Sequence, residues 1–118
     1  MKALLKLCLM VLALCQANPA AAHAVVTDYS LKMQPIRANR PDKVVITFNS
    51  RIELGLSQVF LVRKGDTHEL LKIGNGEKQG QLIVEVPALE PGDYAIKFKV
   101  FAADGHLTED VIHFSVAQ

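Results

Sequence analysis

Two histidines and an aspartate stand out by where they are placed. His23 follows directly on Ala20-Ala21-Ala22, and Asp104 and His106 flank Gly105. Cleavage after Ala22 would give His23 a free α-amine beside its own imidazole, two nitrogen donors that close a chelate ring on one metal ion. An α-amine titrates at roughly 7.7–8.0 and takes a metal only when neutral, so such a site weakens in acid. Asp104 and His106 add a carboxylate oxygen and a second imidazole. Residues i and i+2 of an extended segment point to one side, and Gly105 leaves room for a sharp turn. Nitrogen and oxygen donors in a tetragonal set suit copper(II), which also stands highest in the divalent affinity order. Zinc accepts imidazole and carboxylate too, but prefers a tetrahedron. The donor set therefore reads as a site for one copper(II) ion on His23, Asp104 and His106.

The other residues of comparable chemistry narrow this further. Soft copper(I) calls for thiolate or several thioethers. Cys8 and Cys15 both precede the cleavage point, and Met33 is the one methionine after it. Residues 23–118 therefore hold no disulfide and no cysteine-based zinc site. Val25 takes the third place of the trimmed chain, so the simple amino-terminal copper motif, which needs histidine there, is absent. Each candidate also has a plain reading: a histidine after a leader can be chance, and an Asp-Gly-His loop can be only a turn that the aspartate caps. His113 alternates away from Ile112 and Phe114 and reads as a surface or cross-strand residue. His68 reads as a solvated loop residue, Phe60 and Phe101 as packing, and Lys97 and Lys99 as a solvated strand face.

The cleavage that His23 depends on is written in residues 1–22. Lys2 and Lys6 form a positive start, Leu7–Cys15 is an apolar run, and the three alanines supply a small-residue cleavage site. That is the secretory pattern. A spanning helix needs about 20 apolar residues, more than this run supplies. Leu12-Ala13-Leu14-Cys15 is faintly like a lipoprotein box, with Leu14 where a small residue belongs; lipidation at Cys15 would leave His23 inside the chain. The expected organisation is a cleaved signal peptide over 1–22 and one secreted or periplasmic domain over 23–118, with no membrane insertion after cleavage. A formal net charge of +1 over the whole chain, with no basic patch, gives no reason to expect nucleic acid.

The elements that must position the donors are strands. Apolar and polar residues alternate at period two, with turn residues between the runs. Seven strands are expected: Val25–Met33, Lys43–Asn49, Gln58–Arg63, Glu69–Ile73, Gln81–Val86, Asp93–Phe101 and Asp110–Ala117. Val44, Ile46, Phe48, Leu82, Val84, Val86, Tyr94, Ile96, Phe98, Val100, Ile112, Phe114 and Val116 should face the core. Breaks fall at Arg40-Pro41-Asp42, Lys64-Gly65-Asp66, Gly74-Asn75-Gly76, Glu90-Pro91-Gly92-Asp93 and Asp104-Gly105-His106. This pattern argues for an all-β, immunoglobulin-like sandwich of two antiparallel sheets, with a small Greek-key barrel as the alternative. If successive strands reverse direction, the start of the first strand lies at the same end as the loops after the second, fourth and sixth. His23 should then meet Asp104 and His106, while His68 sits at the opposite end.

The chain resembles the CopC family of periplasmic copper-resistance proteins and their shorter YobA-like relatives. The resemblance rests on His23-Ala24 after the signal, Val44-Val45-Ile46-Thr47-Phe48-Asn49-Ser50-Arg51-Ile52-Glu53, Pro91-Gly92-Asp93-Tyr94, Ala102-Ala103-Asp104-Gly105-His106 and Phe114-Ser115-Val116. It implies a cupredoxin-like or immunoglobulin-like Greek-key β-sandwich. It implies copper(II) held by His23, Asp104 and His106, for buffering, sequestration or delivery alongside a CopD-type inner-membrane protein. The chain departs from the pattern twice. Some members carry a glutamate where Ser50 stands, which leaves open whether Glu53 adds a ligand; others carry a methionine-rich copper(I) site that this sequence cannot build. The competing functions are a metal-free interaction or assembly module of the cell envelope and a copper-dependent oxidative enzyme. The second needs a broad flat substrate face that a small sandwich with short loops lacks, and no enzyme activity is expected.

Overall fold

The structure is a computed structural model and describes residues 24–118. Eight strands follow in order: β1 Val26–Tyr29, β2 Asp42–Phe48, β3 Gln58–Arg63, β4 Thr67–Leu71, β5 Ile73–Asn75, β6 Gln81–Val86, β7 Gly92–Phe101 and β8 Leu107–Val116. They form two four-stranded sheets, ordered β1-β2-β6-β5 and β4-β3-β7-β8. Every strand pair is antiparallel. The architecture is the expected sandwich rather than a closed barrel.

Alternation is what makes these segments strands. In β2, Val44, Ile46 and Phe48 are buried, and Val44 and Ile46 lie opposite Val84 and Leu82 of β6. In β7, Ile96, Phe98 and Val100 are buried, with Phe98 and Ile96 opposite Val59 and Leu61 of β3. The two sheets meet where Phe48 and Phe98 pack edge to face, ring centroids 5.5 Å apart and planes at 82°. Each side chain buried this fully stabilises the fold by about 1.5–3 kcal/mol relative to exposure. Lys97, Lys99 and His113 fall on the outer face of the second sheet, opposite in phase to the core residues.

Four expectations about the elements need correction. The stretch expected as one strand, Glu69–Ile73, breaks at Lys72 into β4 and β5, which belong to different sheets. Leu71 faces the core from one sheet and Ile73 lies opposite Val84 in the other. Strands that switch sheets make the corners of a sandwich, and a local period-two pattern does not reveal the switch. The count is therefore eight strands, not seven. Gly74 and Asn75, expected as a turn, pair with Ile83 and Leu82. The first strand ends at Tyr29 because Ser30–Lys32 winds into a short 3₁₀ turn, in which the N–H groups of Met33 and Gln34 both donate to the Ser30 carbonyl at 3.1 and 2.8 Å. His68 lies in β4 rather than in a loop.

Tyr94 ties the approach to β7 in place. Its hydroxyl donates to the Glu90 carbonyl at 2.7 Å, and its ring stacks on Phe114 with centroids 5.7 Å apart. Both rings are partly buried against the core, on the side the alternation assigned them.

Candidate metal centre

The β7–β8 hairpin carries Asp104 and His106. Its last strand pair is Phe101 with Leu107. Beyond it the Gly105 N–H donates to the Ala102 carbonyl at 2.9 Å, and the Ala102 N–H donates to the His106 carbonyl at 3.0 Å. Gly105 has φ 88°, a left-handed conformation that closes a turn of this kind at little cost only for glycine. Ala102 is fully buried and anchors the loop to the core. Asp104 and His106 are therefore presented by a tight turn, at the break expected over Asp104-Gly105-His106.

The turn brings the two side chains together. Asp104 Oδ1 accepts the backbone N–H of His106 at 3.1 Å, and Asp104 Oδ2 lies 2.6 Å from His106 Nδ1. The imidazole is 60% exposed and the carboxylate 25%. Two donors bound to one ion at about 2.0–2.2 Å stand about 3 Å apart at a right angle, close to the separation already present. A carboxylate oxygen and an imidazole nitrogen are also the donor types a tetragonal copper(II) site takes. A proton now holds these two atoms together, so a metal that takes both must displace it.

Among the described residues no group of three or more His, Cys, Asp and Glu is gathered closely enough to hold an ion. Asp104 and His106 are a pair, and His23, the remaining predicted ligand, lies outside the described residues. What the structure does describe is the chain immediately after it. Ala24 is fully buried. The Val25 N–H donates to Asn49 Oδ1 at 2.8 Å, and the Asn49 N–H donates to the Val25 carbonyl at 3.0 Å. Two residues on, the Arg51 carbonyl accepts the N–H of Ala103 at 3.0 Å. Ile52 forms a bridge with Ala102, and the Glu53 N–H donates to Phe101 at 2.8 Å. The loop after β2 thus holds the start of the described chain at one point and the hairpin turn at another. The β5–β6 loop closes on the same place, since the Phe48 N–H donates to the Gly80 carbonyl at 2.8 Å.

The remaining histidines stand elsewhere. His68 pairs with Asp66 at 2.8 Å and lies opposite Val62, which in turn faces Ala95, near the end of β7 remote from the Asp104 turn. His113 is an exposed residue opposite Ala95. The Glu53 carboxylate engages Arg51 at 3.2 Å, and Ser50 brings no carboxylate of its own. Asn49 and Arg51 escaped the sequence reading. Neither is a metal-binding type, and what they contribute at this end passes through the Asn49 carboxamide and through main-chain hydrogen bonds, which no residue pattern announces.

Residues 18–117 match the CopC domain. Among solved structures, the chain is similar to CopC from Methylosinus trichosporium OB3b, with a TM-score of 0.67 and 28% identity over 80% of this chain and 93% of that one. It is also similar to PcoC, a methionine-rich copper resistance protein from Escherichia coli, with a TM-score of 0.59 and 16% identity over 80% of this chain and 99% of that one. The second likeness bears on the fold alone. No curated protein matches the chain.

Proposed function

The chain belongs to the CopC family, and from that premise we propose that it is an exported copper-binding protein holding one copper(II) ion on His23, Asp104 and His106. Residues 1–22 act as the signal, and trimming after Ala22 creates the donor pair of amine and imidazole at His23. Residues 23–118 form the copper domain in the periplasm, where it buffers, sequesters or delivers the ion. A CopD-type protein of the inner membrane is the partner in delivery. The reading assigns binding, not catalysis.

The observation that carries it is the Asp104–His106 contact of 2.6 Å, on a turn tied through Arg51 to the same loop that holds Val25. Two donors are already side by side, and the chain that follows the third residue is fastened nearby. The copper(II) choice over copper(I) follows from the donor types. PcoC is described as methionine rich, whereas this chain has only Met33 beyond its leader, and that side chain is 87% exposed. In this mechanism Asp104 gives up its contact with the imidazole, and protons leave as the ion enters.

The test is mass spectrometry of the exported protein's N-terminus, followed by copper(II) titration read by electron paramagnetic resonance. The expected result is a chain starting at His23 that takes one ion with nitrogen hyperfine structure. His23→Ala, or one extra residue placed before His23, should abolish tight binding. A mature chain starting elsewhere, or undiminished binding by His23→Ala, overturns the site. A metal-free interaction module would keep its function in both variants.

A further inference from the structure

The loop after β2 does more than connect strands. β1 pairs with β2 through Val26 opposite Phe48, then slips register between Val26 and Asp28. Such an irregularity bends a strand and re-aims the residues around it. Beyond the last ladder pair, Asn49 takes over. Its side-chain oxygen accepts the Val25 N–H at 2.8 Å while its own N–H donates to the Val25 carbonyl at 3.0 Å. One side chain and one main-chain group thus grip both polar groups of a single residue. Ala24, next to it, is wholly buried, so the strand entry is fixed by a plug on one side and a clamp on the other. Ser50 alone separates Asn49 from Arg51, whose carbonyl holds Ala103 beside Asp104.

From this arrangement we infer that Asn49 is a positioning residue for copper(II) binding: its carboxamide fixes Val25, two residues after His23, at a set spacing from the Asp104–His106 turn. The inference rests on the proposed copper site and adds a residue that touches no ligand atom. Without the clamp, the segment from Val25 back to the chain start would have to be ordered at the expense of binding energy. The loss is bounded by the worth of one hydrogen bond, which corresponds to about two- to twelvefold in an equilibrium constant. Asn49 is itself exposed, so its replacement leaves the core untouched.

The experiment compares native protein, Asn49→Leu and Asn49→Asp, all trimmed to His23. Leucine keeps the shape and removes the acceptor; aspartate keeps the acceptor. Two readouts are taken: amide hydrogen exchange at Val25 in metal-free protein, and copper(II) affinity by competition with a chelator, with the paramagnetic spectrum recorded. Asn49→Leu should lose protection at Val25, bind copper about two- to twelvefold more weakly and show a broadened spectrum while still melting cooperatively. Asn49→Asp should retain Val25 protection and bind at least as well as native. Equal affinity and spectrum for Asn49→Leu and native overturn the positioning role while leaving the copper site standing. If native protein binds no copper(II), yet Asn49→Leu still frees the Val25 amide, the copper reading fails and the positioning role fails with it. Copper(II) binding by the native protein tells these two failures apart.

Discussion

Three glycines offer a graded test of how backbone geometry builds the end that carries Asp104 and His106. A Cβ added at Gly55 or at Gly105 meets nothing within 4 Å, but Gly105 alone of these two has a left-handed φ, 88°. Gly80 has φ 85° as well, and its added Cβ would lie 2.6 Å from the Phe48 carbonyl oxygen. Each step adds one physical effect: none at Gly55, backbone strain at Gly105, strain plus a clash with main chain at Gly80. Forcing alanine into the left-handed region costs about 1–2 kcal/mol. Alanine also narrows the unfolded ensemble, which returns about 0.4–1 kcal/mol against whatever the native conformation costs. Gly55→Ala should therefore be neutral or slightly stabilising. Gly105→Ala should lose about 1 kcal/mol net, or about 4–8 °C in melting temperature for a domain of this size. Gly80→Ala should lose more than Gly105→Ala, because the β5–β6 loop must back away from β2. Thermal unfolding followed by circular dichroism ranks the three directly. If Gly105→Ala melts at or above Gly55→Ala, the turn does not depend on a left-handed residue. The account of how Asp104 and His106 are brought together would then be wrong.

Other outcomes follow from the same structure. Phe98→Ala removes a fully buried ring that packs edge to face on Phe48; urea titration should show a loss of about 3–5 kcal/mol, a large part of a typical total of about 5–15 kcal/mol. Tyr94→Phe keeps the stack on Phe114 and removes the hydroxyl bonded to Glu90, so the loss should be only about 0.5–1.5 kcal/mol, and a neutral result would show that this contact does not hold the connection. Copper(II) affinity should fall as pH falls, since protons and metal compete for the same lone pairs, by about tenfold per pH unit for each proton released; a competition titration between pH 8 and pH 5 that stays flat argues against an amine–imidazole site.

Much of the fold was legible because the chain alternates so cleanly. Val44, Ile46 and Phe48, and likewise Ile96, Phe98 and Val100, each bury one face of a strand, and period two is a local property that a sequence displays directly. The kink at Lys72 was not legible. Leu71 and Ile73 would share a face within any single strand, and only the competition between two sheets for the same stretch decides that they enter the core from different ones. The turn at Gly105 was anticipated from residue type, but its effect was not. Extended spacing would set Asp104 and His106 side by side, whereas the actual turn folds the carboxylate back onto the backbone N–H and the ring of His106.

By itself, then, the order of residues determines the strand-forming faces, the buried apolar set, the places where the chain must turn, and the types of donor available to a metal. Those are consequences of chemistry within a few residues. Tertiary structure alone decides that Asn49 grips Val25 and that Arg51 grips Ala103, so that a single short loop joins segments nearly a whole chain apart. The Asn49 carboxamide and main-chain hydrogen bonds make those links. Almost every residue offers the same N–H and carbonyl, and only the packing of the two sheets selects which of them meet.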